Sequence, residues 1–392
     1  MRILFLSFYY QPDLCAGSFR NTSLVHALQQ QLPKESCIDV LTTLPNRYST
    51  FSADALSYEK QDAVQIYRIA LPSHNSGMID QSKAFMVYAR NVLKLVANQQ
   101  YDIVYASSSR LMTATLGAYI ARKKKIPLYL DIRDIFADTL RDVLPKKISW
   151  FFEFLFSQVE AWTVKHAATV NVVSEGFIPY FKERYPKLQL SRFTNGIDDE
   201  FLHLQPNVSE PIDRKIIQVL YAGNIGEGQG LHHIIPTLAK RLEGRVSFKI
   251  IGSGGRLEQL KSAVTAAGCQ NVELCAPLMR AALIEAYQNA DVLFLHLNNY
   301  DAFKKVLPSK LFEYAAMGKP IWAGVGGFAA EFTNKNIPNS GVFSPCDQEQ
   351  AMQAFASLTL ITEPRHLFIS NYARVNIMRN MAANLMQVVR KN

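Results

Sequence analysis

The sequence predicts an α/β protein made of two doubly wound, mostly parallel sheets in tandem. Three observations carry that expectation. Strands and helices alternate regularly through the first half, a polar break follows that contains Pro206 and Pro211, and a second alternation restarts behind it. With 392 residues, 48% of them apolar, the chain has material for two full cores, because one α/β domain usually takes roughly 100–200 residues. Buried strands separated by helices pair in parallel through βαβ crossovers.

The elements run in order. Arg2–Phe8 reads as a fully buried strand, Ser18–Gln31 as a helix, and Ile38–Thr42 and Val64–Arg68 as strands. Lys83–Asn98 has helical apolar spacing at Phe85, Val87, Tyr88, Val92, Leu95 and Val96. Asp102–Ala106 is a strand, Leu111–Lys124 a helix, Pro127–Asp131 a strand, Ile148–His166 a long helix and Thr169–Val173 a strand. Asp198–Arg214 reads as the linker. Beyond it come strands at Ile217–Ala222, Ser247–Ile251, Asn271–Leu274, Val292–His296, Pro320–Ala323 and Gly341–Phe343. Helices are expected between them at Leu231–Leu242, Arg256–Ala267, Arg280–Gln288 and Ser309–Ala316, with a further one at Gln348–Leu360. The expected domains are 1–200 and 201–373, with a last helix, about 374–392, packing back onto the first. Sheets of this kind bind ligands at the carboxyl ends of their strands, beside helix N-termini.

Composition narrows the function classes. The net charge of +9 is spread evenly: residues 1–200 carry 23 Lys/Arg against 19 Asp/Glu, and the remainder 19 against 14. Such an excess fits a phosphate ligand or an anionic membrane surface. No zinc-finger spacing or RNA-binding aromatic motif accompanies it, so nucleic acid is not an expected partner. The five cysteines form no CxxC pair, which points to free thiols rather than structural zinc. Ile3–Tyr10 is short for a signal peptide and no small-residue cleavage site follows. No stretch approaches the ~20 apolar residues of a membrane span.

The motifs concentrate in the second half. Tyr221–Leu231 leaves a strand and enters a helix, with Gly223, Gly226, Gly228 and Gly230 in it. Glycines there let the backbone turn tightly and present helix-start amides to an anion. Ile250–Arg256, with Gly252, repeats the logic on the next strand. No GxGxxG or GxxxxGK[ST] occurs, which disfavours a dinucleotide dehydrogenase or a P-loop ATPase. Farther on, Pro308 fits the first turn of a helix, and Ser309 and Lys310 stand at its positive dipole end. Glu313 follows one turn later, where a carboxylate can accept hydrogen bonds from two ribose hydroxyls. Spacing alone supports a surface Lys–Glu pair equally well.

The run Pro308-Ser-Lys-x-x-Glu-Tyr-x-Ala-x-Gly-Lys-Pro320, between two strands, resembles the C-terminal signature of family 4 glycosyltransferases of the GT-B fold. Gln11–Arg20, with Gly17, resembles that family's N-terminal Gly loop, which meets the donor phosphates. Asn195-Gly-Ile-Asp198 resembles the family's Asn-Gly-Val-Asp, and Tyr221–Leu231 the loop that opens its nucleotide domain. The resemblance covers nearly the whole chain. It is nearest to a subgroup of O-antigen and capsule pathways, some of whose members transfer amino sugars such as N-acetylfucosamine.

The resemblance implies two Rossmann-like domains facing across a cleft, with retention of anomeric configuration and no metal or other cofactor. The nucleotide sugar, expected to carry UDP, is a substrate. Donor-side residues implied are Gly223, Asn224, Gln229, Gly252, Arg256, Leu278, Lys305, Ser309, Lys310 and Glu313; Gly17, Arg133 and Lys310 are the catalytic candidates. Arg20, Asp131 and Asp134 are expected on the acceptor side. Four positions depart from the family pattern: Lys305 where a first Glu is common, Asn224 and Gln229 where Arg and Lys usually meet the phosphates, and Arg133 where His precedes Asp. Lys310, Lys305, Arg256 or Arg133 are the candidates to restore the lost positive charge.

Asp131, Asp134, Asp138 and Asp142 read as a polar loop and helix start, and His232-His233 as residues capping or lining one, so no metal site is expected. Ile148, Phe151, Phe152, Leu155, Val159 and Trp162 make one helical face for burial, which leaves Trp150 and Phe154 outside it beside Lys146 and Lys147. With Lys83, Arg90 and Lys94 of the earlier helix they suit an interfacial contact, and the pattern supports a broad core helix equally well. The expectation is a peripheral enzyme on the cytoplasmic face of the plasma membrane, with a polyprenyl-diphosphate-linked saccharide as acceptor. A GT-B nucleotide-sugar epimerase and a non-catalytic subunit of a polysaccharide assembly complex are the alternatives.

Overall fold

The computed structural model describes residues 1–13, 15–45, 55–72, 78–108, 110–135, 146–204 and 215–391, the side chains of 78–79, 146–151 and 391 excepted. The chain divides into two compact units, Met1–Asn195 with Arg374–Asn392, and Gly196–Ala373.

The first unit holds β1 (Arg2–Leu6), β2 (Cys37–Thr43), β3 (Tyr58–Gln61), β4 (Val64–Ile69), β5 (Ile103–Ser107), β6 (Leu128–Ile132), β7 (Thr169–Val172) and β8 (Leu190–Ser191). They form one sheet in the order β3-β4-β2-β1-β5-β6-β7-β8, parallel except for the β3–β4 pair. The central strands are apolar on successive residues because both faces are covered, as parallel sheets require. Ile3, Phe5, Ile38, Val40, Tyr105 and Tyr129 share a core with Leu24 and Leu28 of helix α1 (Ala16–Gln31). Met378, Met381 and Leu385 of the C-terminal helix Arg374–Lys391 complete that core.

The second unit is a six-stranded, all-parallel sheet in the order β11-β10-β9-β12-β13-β14. Its strands are β9 (Ile217–Asn224), β10 (Val246–Ser253), β11 (Val272–Cys275), β12 (Val292–His296), β13 (Ile321–Gly324) and β14 (Ser340–Phe343). Successive residues point to opposite faces. Leu220, Leu293 and Ile321 therefore build one core, while Val219, Phe294 and Trp322 build the other. Strand order reverses between β1 and β5 in the first sheet and between β9 and β12 in the second. Such reversals open a crevice at the strands' carboxyl ends.

Several expectations change. Gly17 lies in the first turn of α1, not in a loop, because the helix begins at Ala16. Pro308 precedes its helix, which starts at Lys310. Asp198–Leu202 is ordered, with a helical turn at Asp199–Leu202, while 205–214 of the expected linker lie outside the described residues. Strands β3 and β8 and helices Ile178–Arg184 and Gly327–Asn336 are additional to the sequence reading. Leu155, expected in the buried face of its helix, is exposed.

Candidate functional site

The second unit's crevice is built from the ends of β9, β10 and β12. β9 and β10 run in register to Gly223↔Gly252 and Ser253↔Asn224. A Cβ on Gly252 would stand 1.9 Å from the Gly223 carbonyl oxygen, so only glycine lets the two strand ends lie so close. Gly230, at φ +57°, turns the chain into the helix Leu231–Arg241 in the left-handed region, where glycine carries no steric penalty. Between them the loop is internally bonded. The Asn224 amide donates to Gln229 Oε1 at 2.8 Å, and the Gly226 N–H donates to the same oxygen at 3.3 Å.

His296, at the end of β12, anchors this loop from below. Its Nε2 accepts from the Cys346 N–H at 3.0 Å, so Nδ1 carries the proton and donates to the Gln229 carbonyl at 2.7 Å. Burial pushes the His296 pKa down to about 4. The Asn298 amide adds a bond to the Glu227 carbonyl at 3.0 Å. The loop conformation is thus held before any ligand arrives, by these neutral side chains and by the ion pair of Glu227 with Arg256.

Helix Lys310–Ala316 supplies the charged part. Glu313 is buried, yet its carboxylate accepts from Lys310 Nζ at 2.8 Å, Arg280 Nη1 at 3.2 Å and the Tyr287 hydroxyl at 3.2 Å. Burial would raise its pKa; Lys310 and Arg280 outweigh burial and hold it below the usual carboxylate range. Arg280 also donates to Asp198 at 2.7 Å. Tyr314, next in the helix, accepts from the Ala222 N–H at 3.1 Å and so ties Glu313 to the end of β9. The Lys310 and Arg280 side chains keep 26% and 18% of their surface. The cluster therefore has two cations within reach of a ligand and one carboxylate set behind them.

Other donor-side expectations are placed as follows. Ser309 precedes Lys310 and makes no side-chain cap bond. Lys305 ends the turn Asp301–Lys305 and is half-buried. Leu278 is exposed in the loop after β11. Arg256 is 40% exposed and its guanidinium pairs with Glu227, which also accepts from Tyr300 at 2.6 Å, so a phosphate would compete with that carboxylate for it. Arg280, Tyr287 and Asp198 are neighbours of Glu313 in this cluster that spacing does not reveal, since Arg280 lies 33 residues before Glu313. One signal for Arg280 exists. It opens the helix Arg280–Asn289, where a cation opposes the dipole and calls for a carboxylate partner.

In the first unit, the acceptor-side reading of Arg20 and Asp131 is corrected. Both side chains are completely buried, and they pair through Arg20 Nε–Asp131 Oδ2 at 2.8 Å and Nη2–Oδ1 at 2.9 Å. Asn171 and Tyr105 donate to the same carboxylate at 2.7 and 3.0 Å, and Arg20 also donates to the Thr194 and Phe193 carbonyls. This is an internal tie, closed to a substrate. Arg133 lies above it and donates to Asn195 Oδ1 at 3.4 Å, while its Nη1 is buried without a hydrogen-bond partner among the described residues. Burial, with Arg20 nearby, lowers the Arg133 pKa. Asp134 is exposed beside it. Asp138 and Asp142 lie outside the described residues.

Comparison with known proteins agrees for both halves. Residues 24–188 match the family model "Glycosyl transferase 4-like domain", and residues 207–375 match "Glycosyl transferases group 1". A curated relative, "Putative colanic acid biosynthesis glycosyl transferase WcaI" of Escherichia coli (strain K12), is 30% identical over 154 residues, or 39% of this chain. The match spans 35% of that relative's length, about a third. Among solved structures, sucrose-phosphate synthase from Thermosynechococcus elongatus has a TM-score of 0.73 at 13% identity over 100% of both chains. Anabaena Alr3699/HepE in complex with UDP and glucose has a TM-score of 0.69 at 16% identity over 99% of both. WaaG, a glycosyltransferase involved in lipopolysaccharide biosynthesis, has a TM-score of 0.61 at 15% identity, covering 99% of this chain and 98% of its own. At these identities the structural likeness is one of fold, and that fold is GT-B.

Proposed function

We propose, for a chain that carries two glycosyltransferase domains in the GT-B fold, that it moves a sugar from a UDP-sugar to a lipid-linked saccharide with retention of configuration. The observation that carries this reading is the buried Glu313 carboxylate, poised between Lys310 and Arg280 at the reversal point of the second sheet. A carboxylate kept ionised there is suited to accept both ribose hydroxyls. The two cations and the loop amides of 223–230 are suited to the diphosphate. The Anabaena structures with UDP, UDP-glucose, and UDP and glucose support UDP as the nucleotide.

In the proposed reaction the bond from the sugar's anomeric carbon to the diphosphate oxygen breaks as the acceptor oxygen bonds to the same face. The acceptor's proton passes to the departing phosphate oxygen. Charge growing on the diphosphate is stabilised by Lys310, with Lys305 and Arg133 as further candidates; Gly17 is the candidate for close backbone approach. No protein nucleophile is required, and turnover is expected to survive EDTA. An N-acetylated amino sugar is the proposed cargo, in the synthesis of a bacterial surface polysaccharide.

Attachment to the cytoplasmic face of the membrane is part of the same proposal. No helix among the described residues is long and apolar enough to span a bilayer. Helix Met78–Val96 exposes Met86, Leu93 and Leu95, and Met86, Leu93, Arg90 and Lys94 line a shallow apolar groove together with Met112. Phe154, 63% exposed, is the second candidate anchor; the Trp150 side chain lies outside the described residues.

A thermal-shift screen of nucleotide sugars tests the donor assignment, because a bound donor stabilises the fold by mass action. UDP and one UDP-sugar should raise the melting temperature, and the product's anomeric configuration then tests retention. A protein that responds to no nucleotide would favour the non-catalytic alternative, for which Asn224, Gln229 and Lys305 are the supporting departures.

A further inference from the structure

We propose that Glu227, His232 and His233 form a site for a borderline transition-metal ion such as Zn²⁺ or Ni²⁺. The three residues each offer one ligand atom, and these atoms lie within 4.8 Å of one another. The turn Glu227–Gln229 and the left-handed Gly230 fold the carboxylate back against the first turn of the helix Leu231–Arg241. The two imidazole rings lie side by side with centroids 3.9 Å apart and planes tilted by 40°.

Tetrahedral zinc with bonds of about 2.1 Å needs ligand atoms roughly 3.4 Å apart. His233 is exposed, so its ring is free of packing that would stop it turning toward the other two ligand atoms, and the ion has a route from solvent. His232 Nδ1 has no hydrogen-bond partner among the described residues, so the network does not already claim that nitrogen. Two imidazoles and one carboxylate leave the fourth position to water. That ligand set selects Zn²⁺, Ni²⁺ or Cu²⁺ over Mg²⁺ and Ca²⁺, which demand oxygen ligands.

The site has a built-in competitor. Glu227 already accepts from Arg256 and Tyr300. The Arg256 side chain is 40% exposed, and ion pairs of that kind are weak. An arriving metal ion displaces Arg256 from the carboxylate. Metal and guanidinium therefore share one carboxylate inside the loop that opens the second sheet.

Calorimetry on the chelator-stripped full chain tests it, with Zn²⁺, Ni²⁺ and Mg²⁺ as separate titrants. One saturable Zn²⁺ site, a corresponding Ni²⁺ site and no Mg²⁺ heat are expected. His232→Gln with His233→Gln should weaken Zn²⁺ at least tenfold. Arg256→Ala should tighten it several-fold, a gain that a site independent of the Glu227–Arg256 pair would not give. Co²⁺ titration of the wild type supplies a readout that needs no variant to fold: visible bands of nitrogen and oxygen ligation are expected, without a thiolate charge-transfer band. Absent Zn²⁺ binding, binding indifferent to the double variant, no gain in Arg256→Ala, or thiolate ligation of Co²⁺ would each overturn the site.

Discussion

Among the described residues each unit holds a buried carboxylate paired with cations, Asp131 with Arg20 in the first and Glu313 with Lys310 and Arg280 in the second, and the two clusters differ most in exposure. Arg20 and Asp131 are sealed, with no exposed side-chain surface on either partner. Lys310 and Arg280 keep part of their surface around a buried Glu313. Residue types are nearly the same in both. Burial separates a pair that ties strands together from one that can meet a ligand. It also separates their energetics: a sealed pair returns little beyond its desolvation, yet breaking one partner leaves an unpaired buried charge.

The largest expected effect breaks the sealed pair. Asp131→Asn leaves Arg20 buried without a countercharge and should cost about 3–5 kcal/mol. Urea unfolding followed by circular dichroism would check it, and a loss below ~1 kcal/mol would mean that water reaches Arg20. Burial raises the Asp131 pKa, and Arg20 outweighs burial to hold it low. Its contribution is therefore complete above the unfolded value, 3.8, and lost as pH falls through the lower folded one.

His296 gives the next effect. Its folded pKa of about 4 lies below the ordinary 6.5. The unfolded chain therefore binds the extra proton first, and stability declines as pH falls from 6.5 toward 4. A difference of this size is worth about 3 kcal/mol. Replacing His296 by Gln should flatten this part of the pH profile of urea midpoints, and an unchanged slope would remove His296 as its source.

The open cluster comes next. Glu313→Ala should weaken UDP binding by ~1.5–3 kcal/mol, the range for hydrogen bonds to a charged group. Unchanged affinity by calorimetry, in a variant that remains folded, would make Glu313 as purely structural as Asp131 and erase the contrast.

The smallest effect lies at the surface. Each basic side chain near an anionic bilayer is worth ~1 kcal/mol. Arg90→Ser with Lys94→Ser should reduce flotation with anionic vesicles at low salt, and Phe154→Ser should reduce the part that salt does not screen. Wild type that fails to float with such vesicles would favour a soluble acceptor.

What the sequence made legible follows from burial. Strands β5, β12 and β13 are buried on every residue and stand out as apolar runs. Strand β3, Tyr-Glu-Lys-Gln, lies at the sheet's edge with mostly exposed side chains, and no apolar alternation marks it. The helix Gly327–Asn336 begins with a left-handed glycine and ends before Pro338, so its punctuation reads as loop. The Gly loops and Glu313 were visible as motifs. Arg280 comes from the fold, which brings separated residues together, whereas the approach of Glu227 to His232 comes from the local turn through left-handed Gly230. Arg20 and Asp131 look like site residues in a sequence because charge is visible there and burial is not.

The helix Arg374–Lys391 belongs to the first unit, although the whole second unit precedes it in the chain. On the ribosome, the segment through Asn195 emerges without Met378, Met381 and Leu385, three residues of its own core. Synthesis at ~5–20 residues per second makes it wait roughly ten to forty seconds for them. The second unit, contiguous from Gly196 to Ala373, has no such wait. The half that begins first is therefore the half that finishes last, and Leu24 and Leu28 of α1 stay uncovered by that last helix during the interval.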